Sequence, residues 1–426
     1  MITRIEATNY RCFEQLDVDL GRFGVVVGAN GSGKTTLLDI PVLLGDLIEA
    51  ANISMAFLNA SQPRGARAGS LLELVHKERG DWFIFAVEAQ LPERVVRDLL
   101  EGATDTVKQH EDRWPKYVRY ELRLQVFNKR ALQVQNEYFF TFSEQHQPPR
   151  NGARLHGEID PKREWHFAIR REYGGEAEFR IETKPKAKVR GTFLDPDILA
   201  LPKVRFETKT EYPAARWLVE ALTDEAVFFD PVWSDLRTAS KPGLPDRVTA
   251  DGLNLPWLAM AMRNDLPEHF DAWKEHVRIA LPQVTNIEVI EREEDHHAYF
   301  RLTYNDSYAV TSSGLSDGTL RVLALTLLPY LASPPKLLVV EEPENGIHPR
   351  AIETVLEGLS SIDDSQVLVS SHSPVVVANV KLEDLLAARL RRDGAATVIP
   401  GPDHPRLADW KGSIDLGTLF AAGVLG

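Results

Sequence analysis

The sequence predicts an α/β protein in which a largely parallel sheet is covered by helices. Two distant regions of the chain support this prediction. Near the N-terminus, an apolar strand ends in a glycine-rich turn, and a helix follows from Lys34. Between residues 319 and 370, helices and buried strands alternate, which is typical of parallel sheets.

The N-terminal region also predicts antiparallel strands beside this sheet. Alternating segments at Trp82–Ala89 and Tyr120–Val126 have the period of half-exposed strands. The predicted elements up to that point are strands over residues 2–8 and 16–27 and a helix over 34–50. Together they form an expected N-terminal unit over residues 1–135.

The middle of the chain, residues 136–284, is expected to be a large inserted α+β region. It mixes charged strands, proline-rich turns and amphipathic helices such as Ala214–Leu222 and Leu255–Met262. Residues 162–209 contain twelve Lys or Arg against eight Asp or Glu. This cluster is either a solvated charged face or a nucleic-acid contact, and the sequence leaves both open.

The C-terminal unit is expected over residues 285–426. It begins with a possible hairpin of Ile287–Ile290 and Ala298–Tyr304. A helix over Thr319–Tyr330, a buried strand over Leu337–Val340, a second helix and a strand over Gln366–Ser370 are predicted to follow. The mildly apolar end, Gly412–Gly426, is expected either to cover the core or to meet a partner.

Composition restricts the compartment and the type of partner. The chain has 426 residues, of which 62 are acidic and 49 are basic, and the net charge of -13 opposes indiscriminate attraction to DNA. Cys12 is the single cysteine, which excludes an internal disulfide framework and fits a reducing compartment. The most apolar stretch, Leu320–Ala332, is too short to span a bilayer. We therefore expect a cytoplasmic protein with no membrane contact.

The glycine-rich turn at residues 28–35 matches a phosphate-binding loop. The glycines allow backbone N–H groups to point into one concavity, and the start of the following helix adds partial positive charge. Lys34 is expected to reach terminal phosphates and Thr35 to ligate Mg²⁺. The predicted phosphate-contacting residues are Gly28, Asn30, Gly31, Ser32, Gly33, Lys34, Thr35 and Thr36.

Two further motifs follow predicted strands at the same sheet edge. Glu341 and Glu342 end an apolar strand, where one carboxylate can hold Mg²⁺ and the other can polarise a water molecule. Beside a phosphate loop, this pair is expected to be functional rather than a solvated strand end. His372 follows the next strand and can hydrogen-bond a terminal phosphate, although in isolation a structural histidine is the commoner case.

A polar glycine turn, residues 313–321, begins the helix that follows the predicted hairpin. Ser316 can serve as the helix cap. The same small residues at a helix N-terminus can also form an anion-binding surface. The residues alone leave both interpretations open.

Together, these motifs resemble those of the ABC-type ATPases of the RecF, SMC and OLD group, often catalogued as AAA family ATPases. Asn9–Phe13 is similar to the entry strand of that group, and Leu315–Gly318 to its signature motif. Glu341–Pro349 is similar to its acidic strand end and following loop. The resemblance covers residues 1–50 and 300–380 and implies a phosphate-loop NTPase fold with an ABC-type head: a mixed sheet flanked by helices, with an antiparallel lobe.

The resemblance implies an active site shared between two subunits that close around two ATP molecules. Glu341 would then take the Mg²⁺ side, Glu342 would be the catalytic carboxylate and His372 the switch. Ser316 and Gly318 would contact the terminal phosphate bound by the partner. Arg11 would be an additional nucleotide contact. Glu341 stands where ABC proteins usually have Asp, so its extra methylene bears on the Mg²⁺ geometry.

The spacing of the motifs bears on the wider function. Lys34 and Ser316 lie 282 positions apart without a long coiled coil between them, which argues against a transporter subunit and an SMC-type arm. The 46 residues after Val380 contain no Asp-x-Asp cluster, so we expect a stand-alone head without the nuclease domain of OLD proteins. The resemblance implies an ATP-gated switch that controls a separately encoded nuclease or other effector in anti-phage defence.

Two other functions stay open at this stage. A RecF-like DNA-repair ATPase would act on DNA directly. A nuclease within the chain would need a metal site, for which Asp295, His296 and His297 are the candidates. Adjacent histidines on a strand point to opposite faces, which disfavours that third interpretation.

Overall fold

The computed structural model describes residues 1–59, 65–150, 155, 165–184, 186–208, 210–305, 307–407, 410, 412 and 414–425. Within these residues the fold is α/β, with three sheets. A six-stranded sheet forms the centre, an eight-stranded antiparallel sheet packs on one side, and helices with a small three-stranded sheet cover the other.

The central sheet is parallel except at one edge. Its strands are β3 (Phe23–Val27), β10 (Ala226–Phe229), β14 (Leu337–Glu341), β15 (Gln366–Ser371), β16 (Leu385–Leu390) and β17 (Ala396–Pro400). They lie in the order β10-β14-β15-β3-β16-β17, and only β17 pairs antiparallel. The strand from the N-terminal unit therefore lies in the middle of the C-terminal unit, which joins the two into one sheet.

The antiparallel lobe is a meander that begins with the first strands of the chain. Its strands are β1 (Ile2–Tyr10), β2 (Phe13–Asp19), β4 (Trp82–Gln90), β5 (Tyr117–Phe127), β6 (Ala131–Phe142), β7 (His166–Glu172), β8 (Ala177–Phe179) and β9 (Arg190–Thr192). Gln366 ties this lobe to the central sheet, because its side-chain amide exchanges hydrogen bonds with the backbone of Ile2 and also donates to the carbonyl of Gly21.

The third sheet and the helices complete the layers. The small sheet consists of β11 (Val284–Glu291), β12 (Ala298–Tyr304) and β13 (Tyr308–Thr311). The helices are α1 (Lys34–Glu49), α2 (Met55–Leu58), α3 (Glu93–Glu101), α4 (Asp105–Lys108), α5 (Pro213–Thr223), α6 (Leu255–Asp265), α7 (Pro267–Ala280), α8 (Asp317–Leu327), α9 (Pro349–Ser360), α10 (Pro374–Ala378) and α11 (Leu416–Ala421).

Alternate residues of the central strands enter two different cores. On β14, Leu337 and Val339 pack with α1 and the antiparallel lobe, whereas Leu338 and Val340 pack with the layer of α6 to α9. This period of two is the side-chain alternation of a strand, and burial on both faces explains why β14 reads as a continuous apolar run. The strand end is therefore held rigidly from both sides.

The predicted strands and helices of the two terminal regions are confirmed, with two differences. The strand predicted over residues 16–27 is two strands, β2 and β3, separated by a turn that moves the chain from one sheet to the other. The helix predicted over Thr319–Tyr330 starts earlier, and its last three residues form a 3-10 turn. Pro329 lies in that turn, and proline cannot continue an α-helical hydrogen-bond ladder.

Residues 136–284 supply strands to all three sheets. Strand β6 spans the expected boundary at 136, and β7 to β9 extend the antiparallel lobe. Strand β10 pairs in parallel with β14 at the edge of the central sheet, and helix α5 packs on α1. The region is thus continuous with both sheets of the terminal units.

The basic cluster lies at the far edge of the antiparallel lobe, where β9 is the last strand. Residues 162–164, 185 and 209 of that cluster lie outside the described residues. At the chain end, α11 packs against α10, while residues 411, 413 and 426 are also outside the description. None of the described helices is long and apolar enough to cross a membrane.

Candidate functional site

The parallel register brings three sequence motifs to one sheet edge. Glu341 pairs with Ser370, and Ser371 pairs with Val27, the last strand residue before the glycine-rich turn. The ends of β14, β15 and β3 therefore lie side by side at the carboxyl edge, where open parallel sheets bind ligands. The glycine-rich turn, the two acidic residues and His372 all follow directly from these ends.

The glycine-rich turn has a backbone conformation that requires glycine. Gly31 and Gly33 have φ values of 78° and 95°, which side chains disfavour. A Cβ atom on Gly28 would lie 2.1 Å from the carbonyl oxygen of Ala388, and one on Gly33 would lie 2.9 Å from the sulfur of Cys12. The turn is consequently a tight cradle, and α1 begins directly after it at Lys34.

Lys34 places its ammonium group inside this cradle. Its Nζ donates hydrogen bonds to the carbonyls of Gly28 at 2.8 Å and Ala29 at 3.1 Å. Burial lowers the pKa of Lys34, and the nearby Glu342, Glu341 and Glu344 carboxylates oppose that shift. A cation thus lies where the terminal phosphates of a nucleotide would need one, within electrostatic reach of the acidic strand end.

Ser32 offers an independent indication that the cradle takes an oxygen-rich ligand. Its hydroxyl oxygen is buried and has no hydrogen-bond partner among the residues that the structure describes. Buried polar groups normally have partners, so this one is an exception that calls for a ligand. Asn30 and Gly31 are exposed at the tip of the turn. These features fit a bound nucleotide phosphate.

The first turn of α1 presents two threonines in different environments. Thr35 is exposed, as a ligand to Mg²⁺ would have to be. Thr36 is half-buried, and its side chain acts to lower the pKa of the Cys12 thiol against the larger effect of burial. Burial raises the pKa of Cys12, which keeps the thiol protonated. Cys12 is half-buried and acts as a packing residue against the turn.

The Glu342 carboxylate is held from two sides. Its Oε1 lies 2.9 Å from Nδ1 of His372, and its Oε2 accepts a hydrogen bond of 2.6 Å from the amide of Asn345. The residue has a φ of 44°, an unfavourable value for a glutamate, and its N–H donates to the carbonyl of Ser370. Backbone strain of this kind is concentrated at functional sites. Glu341, the preceding residue, is half-buried at the strand end.

Glu344 is a second buried carboxylate in the same loop. It is 8% exposed, and its Oε1 accepts a 2.5 Å hydrogen bond from the hydroxyl of Ser371. Its Oε2 atom is buried without a hydrogen-bond partner in the described parts of the chain. Burial raises the pKa of Glu344, and the neighbouring Glu342 acts in the same direction. This residue links the loop after β14 to the end of β15.

The predicted signature turn is exposed and capped. Ser316 caps α8 by accepting the N–H of Thr319 at 3.2 Å, so the capping interpretation is correct. Ser316 is exposed, and within the described residues it forms no hydrogen bond to its own phosphate loop. A Cβ on Gly318 would lie only 2.2 Å from the carbonyl oxygen of Gly346. The start of α8 thus packs directly on the loop that follows Glu342.

Arg11 is engaged within the fold. Its guanidinium donates to the carbonyl of Arg67, and it lies 5.9 Å from the centre of the Tyr10 ring. Arg67 in turn forms a 2.8 Å ion pair with Asp39 on α1. Arg11 is therefore linked to α1 through Arg67. The predicted nucleotide contact of Arg11 stays a prediction.

Among the residues considered for a hidden nuclease, Asp295 and His297 lie 3.2 Å apart, whereas His296 pairs elsewhere. Asp295 pairs with Arg292 at 2.6 Å, and His296 pairs with Glu291 at 2.7 Å. Asp295 and His296 are exposed in the turn between β11 and β12, and Glu291 is the last residue of β11. The described part of the chain contains no group of three or more His, Cys, Asp or Glu residues that could hold a metal ion. These contacts give no support to the nuclease interpretation.

Sequence reasoning missed three residues that complete the site. Asn345 hydrogen-bonds to Glu342, and Ser371 hydrogen-bonds to Glu344. The carbonyl of Gly346 packs closely against Gly318. The spacing of Glu342 and Asn345, three residues apart in a turn, was a readable signal. No sequence signal indicated the contact between Gly318 and Gly346, because this contact depends on how α8 packs against the loop after β14.

Comparisons with known proteins bear on the family and on the fold. A family model described as "AAA domain, putative AbiEii toxin, Type IV TA system" matches residues 23–378. A 68-residue stretch is 38% identical to the OLD nuclease of Thermus scotoductus, and it spans 15% of this chain and 13% of that protein. The chain therefore covers only a small part of that relative.

Solved structures support the fold. An SMC head bound to the C-winged helix domain of ScpA has a TM-score of 0.52 at 13% identity, over 93% of this chain and 97% of that one. The SMC head domain of Pyrococcus furiosus, with an extended coiled coil, has a TM-score of 0.47 at 13% identity, over 93% and 95% of the two chains. The first of these supports the phosphate-loop NTPase fold and nothing about partners.

Proposed function

The chain belongs to the AAA domain family described as a putative AbiEii toxin of type IV toxin–antitoxin systems, and we propose that it is an ABC-type ATPase that works as a Mg²⁺-dependent switch. In this proposal two copies close around ATP, hydrolysis reopens them, and a separate effector responds in defence against phage. The observation that carries the proposal is the convergence of the Lys34 cradle with the Glu341–Glu342 strand end at one sheet edge.

Nucleotide binding uses the cradle and its cation. Backbone N–H groups of residues 28–35 and the N-terminus of α1 would surround the β- and γ-phosphates of ATP. Lys34 would exchange its two carbonyl partners for phosphate oxygens, and Ser32 would gain the partner that its buried hydroxyl lacks. Both changes replace weaker or absent hydrogen bonds with charge-assisted ones.

The metal fits the donors at this edge. Thr35 and Glu341 would hold Mg²⁺ together with phosphate oxygens and water, the hard-oxygen ligand set that this ion prefers. Bound there, Mg²⁺ neutralises charge that develops on the phosphates. The extra methylene of Glu341 compared with aspartate gives the carboxylate a longer reach from the strand end.

Hydrolysis needs a positioned water molecule, and Glu342 is placed to orient it. Asn345 and His372 fix both carboxylate oxygens, so the side chain is oriented before substrate arrives. The carboxylate polarises water that attacks the terminal phosphorus, and ADP and phosphate leave. His372 could transfer its hydrogen bond from Glu342 to a terminal phosphate oxygen, which makes it a sensor of that phosphate.

The exposed signature turn supports a shared site. Ser316 and Gly318 lie at the N-terminus of α8, which favours anions, yet they form no hydrogen bond to their own phosphate loop within the described residues. A second copy would bring this turn to the terminal phosphate of the first. Two equivalent sites would then form across a two-fold axis.

The defence role rests on the family description and on the short match to a nuclease. A toxin–antitoxin system contains more than one component by name, and the related Thermus scotoductus protein is named a nuclease. A separately encoded nuclease or other effector is therefore the partner that we propose.

Phage challenge tests this role. The gene would be expressed with its chromosomal neighbours in a susceptible host, and the plating efficiency of phage would be measured. Protection should require the neighbour and should disappear with Lys34→Ala, while Lys274→Ala, which changes a half-buried lysine on α7, should keep it. Equal protection from the wild type and Lys34→Ala would refute ATP control.

One observation favours a second candidate, a RecF-like repair ATPase that acts on DNA. Near the edge strand β9, the cations Lys184, Lys186, Lys188 and Arg190 are exposed. Phe193 and Phe206 in the same region are 74% and 85% exposed, and exposed aromatic rings near cations suit stacking with unpaired bases. Fluorescence anisotropy with a labelled single-stranded oligonucleotide would decide. Salt-sensitive binding that is lost when the three lysines are changed to alanine would favour this candidate, and no binding would remove it.

A further inference from the structure

Arg237 holds the signature turn on both sides of Ser316. Its Nε donates to the carbonyl of Leu315 at 3.0 Å, and its Nη2 forms a 2.7 Å ion pair with Asp317. Leu315 and Asp317 are the residues immediately before and after Ser316. A planar guanidinium can make both contacts in one fixed geometry, which a lysine ammonium cannot reproduce.

Arg237 belongs to a segment that is itself fixed in place. We call residues 230–240 the bracket segment; it follows β10 at the edge of the central sheet. The ring of Trp233 lies 4.2 Å from the guanidinium of Arg321, one turn further along α8. At its other end, Ser240 exchanges two backbone hydrogen bonds with Ala298 on β12. The bracket segment therefore contacts α8 at Asp317 and at Arg321, one turn apart. One of its ends follows β10, and the other is hydrogen-bonded to β12.

The opposite side of the signature turn packs against the loop that follows β14. Gly318 packs against the carbonyl of Gly346, which lies one residue after Asn345, the residue that holds Glu342. The turn is thus enclosed between Arg237 and the loop after β14. Within the described residues, the Ser316 hydroxyl itself hydrogen-bonds to Thr319, and the Arg237 contacts fix the residues on either side of it.

We propose that Arg237 is a positioning residue that sets the geometry of the signature turn and acts in trans, on the ATP site whose phosphate loop belongs to the other subunit. This inference rests on the proposed shared site. The side chains of Arg237 and Asp317 are 40% and 53% exposed, and ion pairs of that kind add little to folding stability. The contribution of Arg237 is therefore to orientation, and it can be separated from folding.

The first measurement compares Arg237→Ala with a matched arginine. Arg247 also bridges a carbonyl and a carboxylate, both of Asp224, and within the described residues it forms no hydrogen bond with the turn. Arg237→Ala should lower steady-state hydrolysis by about tenfold or more, because small misplacements of catalytic groups are costly. Arg237→Lys should recover part of this loss. ATP affinity should be unchanged in both, the melting temperature should move by about a degree or two, and Arg247→Ala should hydrolyse ATP normally.

The second measurement distinguishes action in trans from action in cis. In a dimer of one Arg237→Ala and one Lys34→Ala subunit, one site combines an intact phosphate loop with an intact signature turn. Equimolar mixing should therefore restore hydrolysis to about a quarter of wild type, since half of the dimers are mixed and each has one working site. If Arg237 acts on its own phosphate loop, mixing restores nothing.

Parallel mixing of Ser316→Arg with Lys34→Ala separates the inference from the proposed function. Recovery in that mixture, without recovery for Arg237→Ala, would overturn the role of Arg237 and leave the shared site standing. Recovery in neither would overturn the shared site itself. Full activity of Arg237→Ala alone would also overturn the inference.

Discussion

Nδ1 of His372 lies 2.9 Å from Oε1 of Glu342, and this contact joins the ends of two neighbouring parallel strands. The second carboxylate oxygen of Glu342 is held by Asn345. Both residues that would respond to the terminal phosphate are therefore already in contact, and a ligand that draws His372 away would free one oxygen of Glu342. In the proposed mechanism, this hydrogen bond links phosphate binding to water activation.

Glu342→Gln should bind ATP normally and hydrolyse it at least about a hundredfold more slowly, because the amide keeps the side-chain size but cannot polarise water as a carboxylate does. Light scattering should show dimers that accumulate with ATP. Glu353→Gln, an exposed change on α9, is the control and should behave as wild type. Normal turnover in Glu342→Gln would move the catalytic role to Glu341 or Glu344.

Lys34→Ala should weaken ATP binding by roughly ten- to a hundredfold, the usual value of hydrogen bonds to a charged group. Its ammonium donates to the carbonyls of Gly28 and Ala29 in the cradle. Titration calorimetry with ATP measures the change, with Lys274→Ala as the matched lysine. Unchanged affinity would contradict the phosphate-loop assignment.

Gly318→Ala should impair both folding and hydrolysis. The new methyl group would meet the backbone oxygen of Gly346 at 2.2 Å, and overpacking against backbone costs about 1–3 kcal/mol. Thermal unfolding and ATPase assays give the two readouts. Gly175→Ala, where the added Cβ would meet nothing closer than 3.4 Å, should change neither. Wild-type behaviour of Gly318→Ala would mean that the turn and the loop move apart freely.

Glu344→Gln should become more stable relative to wild type as pH rises. Burial raises the pKa of Glu344 from 4.5, so its contribution to stability is largest below that pH and is lost as the carboxyl ionises. Melting temperatures of both proteins from about pH 5 to about pH 8 would show the difference growing in favour of the variant. A constant difference across that range would mean that Glu344 is ionised throughout.

Much of the fold could be predicted because its signals are local. The apolar run before Gly28 and the run before Glu341 have the length and burial of central strands, and they proved to lie in one parallel sheet. Helix α1 follows its glycine turn as the motif requires. The register that aligns Val27, Ser371 and Glu341 then follows from the topology of a parallel sheet.

The other parts of the fold and of the candidate site depend on packing between segments that are distant in the sequence. No local sequence pattern predicts such packing. Strand β10 joins the central sheet from within the middle region, and the bracket segment after it reaches the signature turn. Arg237 and Trp233 carried no sequence signal, since an arginine in a polar stretch is ordinary. Arg11 matched a family motif, and the structure shows its guanidinium hydrogen-bonded to the carbonyl of Arg67. Its role as a nucleotide contact stays a prediction.

The central claim is that each ATP site is built from two subunits, and Ser316→Arg tests it most directly. This variant should still bind ATP at its own phosphate loop but should fail to hydrolyse it, because a bulky cation replaces the hydroxyl offered to the partner. Mixed with Lys34→Ala, which is also inactive alone, it should regain about a quarter of wild-type hydrolysis. Normal hydrolysis by Ser316→Arg alone would contradict the claim and leave Ser316 a helix cap only.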